Sequence, residues 1–139
     1  MINKANRGAT ALLSVSARAE VEAEPPLNQM RFEIRTVSEA NHREHPMARH
    51  RRKKAEQKAF VLMFRCARIK VNLPATITFT RHSRQTMDSD NLAGAFKHIR
   101  DALAREIGVD DGDPRIVWKY GQVRESVKGN YFTLTVEPR

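Results

Sequence analysis

Apolar residues recur along this chain with two different periods, and the switches between them divide it into elements. Residues 31–37 (RFEIRTV) alternate apolar and polar side chains, which predicts a half-buried strand. Residues 47–67 predict a helix, with Ala55, Ala59, Leu62, Met63 and Cys66 as its apolar stripe. Residues 69–73 and 75–80 both favour strand, with Pro74 between them as a bend or an edge. Leu92, Phe96, Ile99, Leu103 and Ile107 then fall at helical spacing, the pattern of a buried face. Asp90 or Asn91 suits the N-cap of this second helix, and Gly108 suits the position just past its end. Residues 115–121 and 129–137 alternate well and predict an antiparallel hairpin turned at Lys128-Gly129-Asn130. Trp118 and Tyr120, two apart, belong on one sheet face or at a subunit interface. The order β-α-β-β-α-β-β indicates an α+β fold, a small mixed sheet with two main helices packed on it.

Composition narrows the class. At 139 residues and 40% apolar, the chain is expected to form one domain with a single core. Residues 1–29 are rich in Ala and Ser, carry Glu20, Glu22 and Glu24 and end near Pro25-Pro26; they read as an extension outside a domain of residues 30–139. No secretory signal is evident in them, and no apolar run is long enough to span a membrane. Cys66 is the sole cysteine, so no intramolecular disulfide can form; a cytoplasmic setting and a buried, inert thiol are expected.

Charge changes the picture more. The chain carries a net +9, but residues 31–86 hold fourteen basic against four acidic side chains, while residues 87–139 hold eight against nine. A basic block of this kind attracts nucleic acid. Its densest part is Arg49-His-Arg51-Arg52-Lys53-Lys54, at the start of the first predicted helix. Cations there oppose the helix dipole, at about 0.3–1 kcal/mol each when exposed, and a phosphate partner would relieve the conflict. No aromatic residues are interleaved with the run, so backbone contact is expected rather than base stacking. Arg81 and Arg84, at the end of the preceding strand, are candidates for the same role.

All six aspartates lie between residues 87 and 114: Asp88, Asp90, Asp101, Asp110, Asp111 and Asp113. Asp88 and Asp90 precede the second helix, and Asp110, Asp111 and Asp113 follow it. If the chain folds back across the helix end, these carboxylates can share one or two hard cations such as Mg²⁺. Gly94, Lys97 and Asp101 lie with Asp90 on the helix side opposite the apolar stripe. The bland alternatives are a solvated Lys97–Asp101 pair and aspartates that cap a helix and shape a turn.

Asp88-Ser-Asp90-Asn91-Leu92, Lys97 four residues before Asp101-Ala-Leu, and the Asp110-Asp111 pair resemble the core signature of the RusA-type Holliday junction resolvases of phages and prophages. Ser38-Glu-Ala-Asn41-His-Arg43-Glu-His45 is similar, more weakly, to that family's N-terminal loop. The helix motif fixes several residue types and two spacings and is the more specific of the two. Relative to the shorter family version, the lysine stands one helical turn later, and Gly94 takes its place.

The resemblance implies a Mg²⁺-dependent endodeoxyribonuclease, with Mn²⁺ as an alternative cation, that cuts four-way DNA junctions symmetrically as a homodimer in a bacterial or phage-infected cell. Asp88, Asp90 and Asp111 are the expected metal ligands, with Asp110 as substitute. Lys97 is expected to orient the phosphate or stabilise transition-state charge, and Asp101 to orient Lys97. Asn91 is a cap or a support for a ligand carboxylate, and Asp113 caps the turn before Pro114. Asn41, Arg43, Arg49, Arg51, Arg52, Lys53, Lys54, Arg81 and Arg84 are the expected DNA contacts. Two alternatives stand beside this: a non-catalytic basic DNA-binding protein, and a nuclease for other branched DNA.

Overall fold

The computed structural model describes residues 28–39 and 42–139. The elements run β1 (Gln29–Phe32), α1 (Pro46–Ala67), β2 (Ala75–Ser83), α2 (Ser89–Glu106), β3 (Ile116–Arg124) and β4 (Asn130–Pro138). Among the described residues the fold is α+β: one mixed four-stranded sheet, order β1-β4-β2-β3, with two helices. β2 and β3 are parallel, as a pair joined through a helix allows, while β4 runs antiparallel to both β1 and β2.

Strand periodicity accounts for the single core. On β2, Ala75, Ile77 and Phe79 are buried while Thr76, Thr78 and Thr80 are half-buried. On β4, Phe132, Leu134 and Val136 point the same way. α1 adds Phe60 and Phe64, and α2 adds Leu92, Phe96, Ile99 and Leu103. Phe132 lies at the centre, with ring centroids 5.2 Å from Phe32, 6.2 Å from Phe60, 5.9 Å from Phe79 and 5.2 Å from Phe96. Each such ring contributes about 1.5–3 kcal/mol by leaving water.

Four expectations differ from the structure. Residues 69–73 form no strand, because both edges of β2 are already paired, with β3 and β4. Ile69, Val71 and Leu73 instead line the core as the chain turns back from α1. Residues 33–37, read as strand, are unpaired, and β1 lies earlier. β3 and β4 make no hairpin, because β2 lies between them. The fully buried Phe132 and Leu134 suit β4 to an interior place, whereas Lys119, Val123 and Arg124 of β3 are exposed, as an edge strand permits. Lastly, α1 buries Phe60 and Phe64; of the expected stripe only Met63 packs partly against the core, and Ala55, Ala59, Leu62 and Cys66 are exposed. Two phenyl rings one turn apart remove more apolar area than alanines and a thiol, and they set the helix rotation.

α2 matches its expected face, with Ile107 partly buried at its end. Ala95, His98 and Ala102 widen the buried surface. Gly108 has φ +77°, the left-handed conformation of a residue just past a helix end. Among the described residues no helix is long and apolar enough to cross a membrane.

Candidate nuclease site on helix α2

Asp88 is the N-cap of α2: its Oδ1 accepts from the Asn91 N–H at 2.9 Å, and its Oδ2 from Asn91 Nδ2 at 3.2 Å. Asp90, two residues further in the first turn, is exposed, and its side chain has no hydrogen bond or ion pair among the described residues. Both carboxylates sit where the helix dipole stabilises negative charge. Replacing Asp88 separates its two possible uses. Asn caps a helix as well as Asp, so Asp88→Asn is expected to leave the urea midpoint nearly unchanged, whereas Asp88→Ala costs about 1 kcal/mol. A metal-ligand role predicts that Asp88→Asn nevertheless lowers divalent-cation affinity.

The loop after α2 is held at both its backbone and its carboxylate. Trp118 Nε1–H donates to the Asp111 carbonyl at 3.0 Å. Arg100 Nη2 donates to Asp111 Oδ2 at 3.1 Å, and its Nη1 to Tyr120 Oη at 3.0 Å. The Arg100 guanidinium also stands 5.5 Å from the Trp118 ring centroid. The hydrogen bond from Arg100 holds the Asp111 carboxyl below the usual carboxylate range, and Asp101 and Lys97 are close enough to add to the shift. Lys97 itself is exposed and pairs with Asp101 Oδ2 at 3.3 Å, the i, i+4 contact expected of it. The acidic loop thus returns to α2 at Arg100.

Asp113 is the turn residue anticipated before Pro114. Its Oδ1 accepts from the Arg115 N–H at 2.9 Å and its Oδ2 from Arg115 Nη2 at 2.7 Å. The guanidinium and backbone N–H of Arg115 hold its pKa down at about 2. A carboxyl depressed in the folded state contributes stability above its unfolded pKa of about 3.9 and loses it as pH falls through the folded value. The Asp113 carboxyl carbon is therefore expected to titrate near pH 2 by NMR; a midpoint near 4 would remove the clamp from the account.

The carboxylates do not all meet. Among the described residues no three His, Cys, Asp or Glu side chains lie together closely enough to hold one ion. Asp88 and Asp101 are separated by about 20 Å along the helix at 1.5 Å per residue, and Asp90 and Lys97 by about 10 Å. The added turn that places Gly94 where the family motif has lysine contributes about 5 Å of this. Asp110 is exposed, and no side-chain partner is found for it among the described residues. As donors the four carboxylates are all hard oxygens suited to Mg²⁺, and Asp90 and Asp110 have both oxygens unengaged.

The expected DNA contacts divide. Arg43, Arg51, Lys54 and Arg84 are exposed and outside any ion pair among the described residues. Asn41 lies outside the described residues. Arg52 is instead an internal cation, 3.0 Å from Glu39, 2.8 Å from Glu44 and 3.4 Å from Glu56. Desolvation lowers its proton affinity, but hydrogen bonds to Glu44 and Glu39 outweigh this and keep it firmly charged. Arg49 and Lys53 also face Glu39, at 3.7 and 3.4 Å. These glutamates relieve most of the conflict with the helix dipole that the sequence suggested a phosphate would relieve. The helix is capped by His45, whose Nδ1 accepts from the Met47 N–H at 3.1 Å. Arg81 is buried, at 7% exposed, with Nε donating to Thr36 Oγ1 and Nη1 to the Gln85 carbonyl; its strand position turns it away from the open surface and onto the wall of a recess beside Gln85 and Met87.

A cleft of about 500 Å³ runs between α1 and α2, lined by His50, Lys53, Lys54, Gly94, Lys97, His98 and Asp101 among others. It joins the basic start of α1 to the outer flank of α2. His98, at its base, is buried and pairs with Glu56 at 2.5 Å. Sequence reasoning missed Arg100, Glu39, Glu44, Glu56 and His98. Arg100 carried a usable signal, since it adjoins Asp101 and lies between the apolar stripe and the Lys97 flank.

No family model matches the chain, and no curated protein is significantly similar to it. Among solved structures, 2C-methyl-D-erythritol-2,4-cyclodiphosphate synthase is similar at 12% identity and a TM-score of 0.29, over 62% of this chain and 51% of that one. The chain thus spans about half the length of that structure, and a likeness this distant carries no argument about activity.

Proposed function

We propose that this chain is a Mg²⁺- or Mn²⁺-dependent endodeoxyribonuclease for four-way DNA junctions, similar to the RusA-type resolvases. One observation carries the reading: Arg100 and Trp118 hold the Asp111 loop against the same helix that begins Asp88-Ser-Asp90-Asn91-Leu92 and bears the Lys97–Asp101 pair. Acidic groups from before and after one helix, with a lysine on it, are groups that metal-assisted phosphodiester hydrolysis can use.

Asp88, Asp90 and Asp111, with Asp110 alongside, are the residues proposed to hold the cation; no three of them lie together closely enough among the described residues, so sharing one ion would require the Asp110–Asp111 turn and the start of α2 to draw together. A bound divalent ion would supply charge neutralisation at the phosphoryl oxygens and a water of lowered pKa. Lys97 orients the phosphate, and Asp101 steadies Lys97. Arg43, Arg51, Lys54 and Arg84 hold backbone phosphates, and the cleft between α1 and α2 supplies the strand's path. A two-fold homodimer would set one site on each of two opposed strands of a symmetric junction. The compartment proposed is the cytoplasm of a bacterial or phage-infected cell.

A second reading is a non-catalytic DNA-binding protein. It is favoured by the caps: Asp88 spends both oxygens on α2, and Asp113 spends both on Arg115. Incubating labelled four-way junction, fork and linear duplex with Mg²⁺ or EDTA separates the two. Paired nicks in the junction with Mg²⁺ only support the nuclease; salt-sensitive binding with no cleavage of any substrate supports the binder.

A further inference from the structure

Arg81 occupies a core-facing position of β2, in line with Ile77 and Phe79, yet no carboxylate neutralises it among the described residues. Taking a guanidinium out of water without a counter-ion is unfavourable, and such a group is normally paired. Here its Nε donates to Thr36 Oγ1 at 3.1 Å and its Nη1 to the Gln85 carbonyl at 2.8 Å, both neutral acceptors. Nη2 has no acceptor among the described residues. Thr36 is itself fixed: Asn130 Oδ1 accepts from the Thr36 N–H at 2.7 Å, and Asn130 Nδ2 donates to the Thr36 carbonyl at 3.1 Å.

Beside this guanidinium is a pocket of about 420 Å³ whose walls include Arg35, Ser38, His42 and Gln85 and, among the described residues, no aspartate or glutamate. Ser38 Oγ is buried there without a hydrogen-bond partner. Arg35 is near enough to disfavour the charge on Arg81, adding to the effect of burial. Two like charges are therefore gathered in one acid-free recess with an unused hydroxyl.

We infer that this recess is an oxyanion site that takes a phosphate group, with Arg81 and Arg35 as its cations and Ser38 as a hydroxyl donor. A guanidinium presents parallel N–H donors that fit phosphate oxygens, and its binding would supply the counter-charge that Arg81 lacks. Met87 forms part of the wall and directly precedes Asp88, so a nucleic-acid phosphate held here would lie next to the start of α2. The inference does not depend on the chain cleaving DNA.

The test is titration of the full chain with inorganic phosphate at fixed ionic strength, following the arginine Nε–Hε resonances by NMR. The Arg81 resonance is expected to shift saturably. Arg35→Gln and Ser38→Ala, at non-helical positions outside the apolar core, should each weaken phosphate by about threefold or more, as removal of one charged or polar contact does. Lys119→Gln, on the exposed edge strand, should leave it unchanged. Short single strands with and without a 5′-phosphate identify the source: a shift with both marks a backbone diester, and a shift only with the phosphorylated strand marks a terminal phosphate. An Arg81 resonance unmoved by phosphate, or equal weakening by Arg35→Gln and Lys119→Gln, would overturn the site.

Discussion

Asp90→Asn is expected to abolish Mg²⁺-dependent cleavage of four-way DNA while leaving DNA binding intact or stronger. Asp90 is exposed, is not the helix cap, and makes no hydrogen bond or ion pair among the described residues, so its loss should leave the fold alone. The change is isosteric but removes the negative charge that a hard cation needs. Even outer partners of metal ligands cost about 10–100-fold when removed, so loss of a direct ligand should exceed a hundredfold. The same change deletes a charge that repels phosphate, which a mobility-shift assay in EDTA should register as equal or tighter binding. Retained Mg²⁺-dependent nicking by this variant would refute the assignment of the site.

Phe132→Ala is expected to cost about 3–5 kcal/mol, the range for deleting a fully buried phenyl ring. Phe132 is inaccessible to solvent and touches rings from β1, α1, β2 and α2, so no single element can collapse into the space. Since a domain of this size is stable by about 5–15 kcal/mol, the loss is a large share of the total. Leu62→Ala is the matched control. Leu62 is 65% exposed, and its truncation should change stability by less than about 0.5 kcal/mol. Urea unfolding with an unchanged m-value measures both. Equal effects would mean that α1 packs through the other stripe.

That pair of variants also marks where sequence patterning was informative and where it was not. α2 was legible because five large apolar residues keep one helical spacing, and four of them are fully or nearly fully buried. α1 was legible as a helix but not in its rotation, since its smaller apolar residues form a stripe on the side away from Phe60 and Phe64, and the two rings decide the face. β3 and β4 were legible as strands but not as neighbours. Pairing depends on which strand needs two partners, and that is set by the whole sheet rather than by a turn signal.

The site shows the same division. The Lys97–Asp101 pair and the Asp113 turn are local in sequence and were readable from spacing, whereas the expected meeting of Asp88 and Asp90 with Asp110 and Asp111 is not found among the described residues. The clamp on Asp111 was not, because Arg100, Trp118 and Tyr120 come from two elements that meet only through the parallel β2–β3 pair. The basic run was overstated for a related reason. Glu39, Glu44 and Glu56 look scattered in a strongly basic segment, yet folding closes all three on Arg52.

The most direct measurement is paramagnetic line broadening by substoichiometric Mn²⁺ on the ¹⁵N-labelled protein. If the acids at both ends of α2 serve one catalytic centre, amides of residues 88–91 and 110–113 broaden together, and Asp90→Asn removes both effects. Broadening confined to one of these segments, or absent from both, would contradict a shared cation and leave a basic DNA-binding fold in its place.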